Sequence, residues 1–296
     1  MSATFAYLPE RGVLALRGPD TIALLERLIT STTSGWTPGE ARFGGLLTPQ
    51  GKIIADFVAV RTGEGVLLDA PKAGIGELEK RLKLFRLRAD VEIAPLEGVI
   101  ILAGVEPAEH GVRPVSGAQI AYVDPRFPGG RLRAIASETE WRQYHGHEAE
   151  WALPTDAYEA DRIAAGVPDW GPDYGAAEVF PADVNMDRLG GVDYKKGCFV
   201  GQEVVSRMYR RGKIRKRTFA VTGEGLSPGA EVVAPGPVGR VTSCHGARGL
   251  ACLRLDRVAK ALKAEATLSC GGHPLDLKLD DGGWLHEELE GFMSDA

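Results

Sequence analysis

Lys195-Lys196-Gly197-Cys198-Phe199-Val200-Gly201-Gln202-Glu203-Val204-Val205-Ser206-Arg207 carries the densest signal in the chain. Gly197 and Gly201 let the backbone bend closely around a neighbour, and residues 202–208 have helical spacing with Glu203 and Arg207 one turn apart. Cys198 therefore stands before a helix amino terminus, among Lys195, Lys196 and Arg207, surroundings that favour thiolate over thiol. It is a candidate nucleophile, redox-sensitive group or transient ligand to a metal cluster; the alternative is a small packing residue beside Phe199 and Val200. The lysines precede the glycines and no Gly-Lys-Ser/Thr follows, so this is not a phosphate-binding loop.

Downstream, Arg207, Arg210, Arg211, Lys213, Arg215, Lys216 and Arg217 stand with no carboxylate between Glu203 and Glu224, inside a chain of net charge -5. A solvated loop is one reading; an anionic partner, RNA phosphate or the carboxylates of a polyglutamylated cofactor, is the other. Tyr209 alone is aromatic there, which weakens base stacking. Cys198, Cys244, Cys252 and Cys270 form no CxxC pair, so the spacing offers no resident metal site. His145-Gly146-His147, the one close histidine pair, reads as a polar turn. HExxH is absent, as is a GxGxxG opening a helix after a strand, and hydrolase and zinc-enzyme readings have little support.

Outward from the motif, apolar periodicity predicts helices over 21–29, capped by Asp20, over 75–87 and over 156–165. Short apolar runs between turn residues predict strands at 44–47, 53–60, 66–68, 91–93 and 99–102, a helix-on-sheet layer in the style of a ferredoxin-like unit. Further runs at 219–222, 231–234, 238–243, 250–255 and 275–279 suit a small antiparallel barrel, and residues 291–296 a frayed end. No run of eighteen apolar residues could span a bilayer, so no membrane role is expected, and the amino terminus lacks the look of a secretory signal; a cytoplasmic location is expected.

The octapeptide 196–203 matches the KGCxxGQE signature of the YgfZ family, which the chain resembles. Leu47-Thr48-Pro49-Gln50-Gly51-Lys52 with Asp56, then Asp124-Pro125-Arg126, then residues 181–191 with Asn185, match in the same order. The resemblance implies an α+β, three-lobed aminomethyltransferase-like fold, with two interwoven ferredoxin-like lobes (residues 1–212, one lobe near 40–105) and a carboxyl-terminal antiparallel β-barrel (213–285) before a tail (286–296). It also implies tetrahydrofolate as cofactor and a role in assembling or repairing iron-sulfur clusters, with assembly or client proteins as partners and Cys198 as the residue that matters. Asp56, Asn185, Lys196, Gln202, Glu203, Arg207 and Arg126 are the implied cofactor contacts. Asp56 has the alternative of a solvent-facing strand position, Glu203 of pairing with Arg207, and Asp124-Pro125-Arg126 of a structural turn. Aminomethyltransferases carry two adjacent acids where this chain has Ala55-Asp56, so an assembly factor is expected ahead of a classical transferase. A folate-dependent one-carbon transferase and an RNA-binding protein of tRNA modification are the alternatives.

Overall fold

The computed structural model describes residues 5–107, 118–145, 153–210, 214–280 and 282–294. The chain divides into two units: Met1–Asp161 with Ala176–Pro181 and Met186–Ser206, and Arg162–Gly175 with Ala182–Asn185 and Arg207–Ala296.

The first unit holds strands β1 (Phe5–Tyr7), β2 (Arg11–Arg17), β3 (Ala41–Leu47), β4 (Ile53–Arg61), β5 (Gly65–Pro71), β6 (Glu92–Leu96), β7 (Val99–Pro107), β8 (Ala118–Asp124) and β9 (Arg131–Ser137). Its first helices are α1 (Thr21–Leu28), α2 (Lys72–Arg86) and α3 (Glu138–His145). Two antiparallel sheets result, one of order β3-β4-β5-β2-β6 and one of order β1-β7-β9-β8. Strand β2 lies inside the first sheet, Leu14 opposite Leu68 on one side and Pro95 on the other. Its run Val13-Leu14-Ala15-Leu16 is buried throughout, the signature of a strand covered on both faces. Leu14 and Leu16 join Leu24 and Leu25 of α1 and Leu78 and Leu82 of α2 in one core, each such side chain contributing roughly 1.5–3 kcal/mol of burial. Trp141 of α3 closes a second core with Ile100, Leu102, Ala134 and Ala136.

Two expectations change here. The segment 99–102 belongs to the second sheet rather than the first, so the layer read as 40–105 is completed by residues 11–17 instead. Asp20 does not cap α1: its Oδ2 accepts the Asp90 N–H at 2.8 Å, tying the helix start to the loop before β6.

A buried ion network joins the two sheets. Arg11 Nε donates to Asp69 Oδ1 at 2.6 Å, Arg133 Nη1 to Asp69 Oδ2 at 2.5 Å, and the Tyr122 hydroxyl to the same oxygen at 2.8 Å. Arg126 Nη2 donates to Asp124 Oδ2 at 2.9 Å and to the Tyr158 hydroxyl at 3.2 Å. Arg133 Nε lies 2.9 Å from Asp124 Oδ2, an ion pair without hydrogen-bond geometry. Burial alone would raise both carboxyls, yet Arg11 and Arg133 hold Asp69 below its ordinary value, and Arg126 and Arg133 hold Asp124 down to about 2.

Helix α4 (Thr155–Ala164) spans the dividing line between the units. The second unit is a closed barrel of β10 (Lys216–Gly223), β13 (Arg248–Arg254), β12 (Pro237–His245), β11 (Glu231–Val233), β14 (Ser269–Cys270) and β15 (His273–Leu277) in that order. The barrel predicted from the short Val- and Gly-rich runs is therefore present, with one two-residue strand the pattern did not show. The end of the chain is not frayed through 291–294: helix α7 (Trp284–Ser294) packs Leu289 into the barrel core, beside helix α6 (Leu255–Lys263). Arg217 is wholly buried, donating to both oxygens of Glu288 at 2.8 and 2.7 Å and to the Ala182 carbonyl at 2.9 Å. It therefore leaves the basic run, of which Arg207, Arg210, Arg215 and Lys216 are exposed, while Arg211 and Lys213 lie outside the described residues, as do Gly146 and His147.

Candidate functional site

The Cys198 loop is built on the turn after β3. Gly51 closes that turn at φ +82°, its N–H donating to the Thr48 carbonyl at 2.8 Å. Gly201, at φ +81°, sits directly against it: a Cβ there would lie 2.6 Å from the Thr48 carbonyl oxygen and 3.0 Å from Gly51 Cα. A Cβ on Gly51 would in turn press on Val204 at 3.1 Å. The two glycine motifs thus meet back to back, in a left-handed conformation that glycine adopts without penalty.

The loop is closed from its other end as well. Asp193 Oδ1 accepts the N–H groups of Lys195 and Lys196 at 2.7 and 3.2 Å, and Gln202 Nε2 donates to the carbonyls of Lys196 and Gly197 at 3.4 and 3.2 Å. Phe199 is buried, Val200 packs on the first core, and helix α5 (Gln202–Arg210) follows. With its neighbours held on both sides, Cys198 stands exposed at the loop surface; Cys244 and Cys252 are half-buried and Cys270 is buried. The packing alternative for Cys198 is thereby excluded.

Lys196 is tied to the end of α1. Its Nζ donates to the Ile29 and Ser31 carbonyls at 2.9 and 2.8 Å and lies 3.6 Å from Glu26. Burial pushes this ammonium down, with Glu26 opposing. Lys196 therefore satisfies carbonyls at the end of α1, where backbone oxygens lack helical partners and favour a cation. Thr30 continues this seam, its hydroxyl donating to the Gly191 carbonyl at 2.5 Å and accepting the Gly45 N–H at 2.9 Å.

The remaining predicted contacts are dispersed. Asp56 lies on β4 opposite Gly45, fully buried rather than on a solvent face. Asn185, at φ +58°, belongs to the second unit, where its amide donates to the Thr218 carbonyl at 2.7 Å and its Oδ1 accepts the Thr218 N–H at 3.3 Å. Arg126 is held by Asp124 and Tyr158, the structural-turn alternative. Glu203 and Arg207 are exposed on α5, and Gln202 closes the loop. Cys198, Lys196 and Gln202 thus share one loop, Arg126 belongs to the ion network of the first unit, and Asn185 bonds within the second unit. Thr30 was not singled out from the sequence, and Lys52, which stands in the matched stretch, donates from Nζ to the Glu178 carbonyl at 3.1 Å and sits 5.8 Å above the Phe180 ring. Sequence reasoning also missed the Asp69–Arg133 centre; a lone charge inside an apolar strand run was the available signal.

The fold is that of the aminomethyltransferases. The chain superposes on the glycine cleavage system aminomethyltransferase T of Bartonella henselae with a TM-score of 0.72 over 94% of this chain and 86% of that one, at 16% identity. Residues 215–283 match the model of the CAF17 C-terminal beta-barrel domain. Among curated proteins the chain is similar to the iron-sulfur cluster assembly factor IBA57 homolog, mitochondrial, of Mycosarcoma maydis, 30% identical over 72% of this chain and 55% of that protein. It is also similar to the iron-sulfur cluster assembly factor IBA57, mitochondrial, of Homo sapiens, 28% identical over 88% of this chain and 80% of the relative. The chain thus spans little more than half the length of the first of these relatives and most of the second. These homologues carry the IBA57 name rather than YgfZ. They also overturn the cytoplasmic location expected from the sequence, since both are mitochondrial proteins. Among the described residues no helix is long and apolar enough to cross a membrane.

Proposed function

We propose that this protein is an accessory factor for the assembly or repair of iron-sulfur clusters in client proteins, working in the mitochondrion as its relatives do. One observation carries the reading: in a chain similar to IBA57 assembly factors, the cysteine of the YgfZ-like signature is exposed on a loop whose neighbours are locked by Gly51, Gly201, Asp193 and Gln202. A thiol so presented can reach iron held by another protein, and sulfur is a soft ligand suited to it. The cluster is cargo, met at Cys198 and left with the client. The loop supplies position: the thiol is offered without a search through conformations, which lowers the ordering cost of the encounter.

Tetrahydrofolate enters this proposal through the fold and through Asp56. A buried carboxylate is the group that the N–H donors of a pterin ring require, and Asp56 is such a carboxylate. Lys196, Asn185 and Arg126 are engaged with the protein and take no part. Bound tetrahydrofolate is a carrier of one-carbon units. With Ala55 in place of a second acid beside Asp56, this strand lacks the acid pair of the aminomethyltransferases, which favours a binding role for the folate.

The test is complementation. Cells lacking this protein receive either the parent chain or Cys198→Ala, and the activities of iron-sulfur enzymes are compared with those of cluster-free enzymes. The proposal expects selective loss of the former with Cys198→Ala at equal protein level; parental activities would remove Cys198 from the mechanism. Calorimetric titration with tetrahydrofolate, on the parent and on Asp56→Asn, tests the folate part separately. Saturable binding weakened at least tenfold by the substitution supports it, and heats indistinguishable from dilution contradict it.

A further inference from the structure

The first unit carries an exposed apolar patch at the carboxyl end of α2 that neither its cores nor the Cys198 loop uses. Leu84 is 64% and Leu87 82% exposed, and Leu87 adopts φ +50°. A leucine at φ +50° and ψ −109° is strained, a backbone conformation that glycine alone adopts readily. Leu87 thus combines backbone strain with an unburied side chain, and the folded chain gains from neither. Beside it runs a cleft of about 710 Å³ between α1 and the end of α2, lined by Ala23, Arg27, Arg86, Leu87 and Arg88.

The rim of this cleft is unequal in charge. Three arginines face one carboxylate, Asp20, which already accepts the Asp90 N–H. Arg86 donates one N–H to the Val91 carbonyl at 3.0 Å, and its residue remains exposed. Helix dipoles account for cations in the last turns of α1 and α2, Arg27 and Arg86 among them. They account neither for Arg88, beyond the helix, nor for the leucines.

We propose that this face docks an acidic, amphipathic segment of a partner protein. Apolar side chains of that segment cover Leu84 and Leu87, while its carboxylates meet Arg27, Arg86 and Arg88 in charge-assisted pairs. The two halves of the surface choose the occupant. A nucleic acid or free phosphate would meet the guanidiniums and leave the leucines in water; an uncharged apolar partner would cover the leucines and strip the arginines of solvent without return. The proposal stands on this surface alone and does not depend on the reading of Cys198.

The test places a photoreactive benzophenone side chain at position 84 of the full chain in its own cells and sequences whatever it captures. The expected capture is a protein segment with net negative charge and regularly spaced apolar residues. That segment, made as a synthetic peptide, is then titrated against the purified full chain. Binding falls at least tenfold with Leu87→Gly and with the pair Arg27→Glu, Arg88→Glu. Because glycine accepts φ +50° freely, Leu87→Gly retains or raises the unfolding midpoint, which separates lost docking from lost folding. Capture of nucleic acid, of lipid, of a second copy of this chain or of nothing overturns the proposal, as does a peptide whose affinity neither variant changes.

Discussion

At the scale of single residues, Cys198 and Gly201 make opposite predictions. Cys198 is exposed, so Cys198→Ala is expected to change stability by no more than about 0.5 kcal/mol while abolishing support of cluster enzymes. Gly201→Ala forces a side chain into a left-handed position and within 2.6 Å of the Thr48 carbonyl. Strain of that kind costs about 1–3 kcal/mol before the clash is relieved, so a clear drop in unfolding midpoint by calorimetry is the expected outcome. An unchanged midpoint would show that the two glycine turns do not meet as described. The bend at the octapeptide was legible from its two glycines; the reason for the second was not, because the partner, Gly51, lies 150 positions earlier.

Among the elements, the loop and α1 are joined by Lys196. Lys196→Met keeps most of the side-chain volume but leaves the Ile29 and Ser31 carbonyls without their donor, a loss of about 1–3 kcal/mol for buried polar groups. Urea unfolding should show it, and a variant as stable as the parent would assign Lys196 a different role. Helical periodicity revealed α1 and α2 because each has one apolar stripe over a sheet. The same reasoning failed for β2: a strand buried on both faces has no alternation to read, and Val13 to Leu16 looks like any short apolar run. Asp20 was a cap by its spacing, but its carboxylate was claimed by Asp90, a neighbour that only the fold supplies. Arg217 looked like one more charge in a basic stretch until Glu288, far along the chain, proved to be its partner.

For the molecule as a whole, the ion network between the sheets sets the acid limit of stability in the first unit. Asp69 and Asp124 titrate below their ordinary value of 3.8 when folded, so on acidification the unfolded chain takes up these protons first. Their contribution is complete above the unfolded carboxyl value and is lost as pH falls through that value towards about 2, the folded value of Asp124. Unfolding followed from pH 6 downwards (about two units above that ordinary value) should show stability falling in that window. The network itself is tested by Arg133→Met, which strands Asp69 and Asp124 with one cation fewer and is expected to cost about 3–5 kcal/mol. A loss below about 1 kcal/mol, the size of a surface pair, would contradict the buried description. That the chain would fold as an aminomethyltransferase-like protein was legible from ordered motifs. The network that couples its two sheets was not, because Arg11, Asp69, Asp124 and Arg133 are scattered along 123 residues and meet only in three dimensions.

The central claim is that one surface thiol, held in place by two facing glycine turns, is the working group. The most direct measurement alkylates the purified chain until peptide mapping shows Cys198 modified and Cys244, Cys252 and Cys270 intact, then assays reactivation of a cluster-depleted enzyme in an extract lacking this protein. Reactivation should fall to the level of the extract without added protein. Reactivation as full as with the unmodified chain would contradict the account.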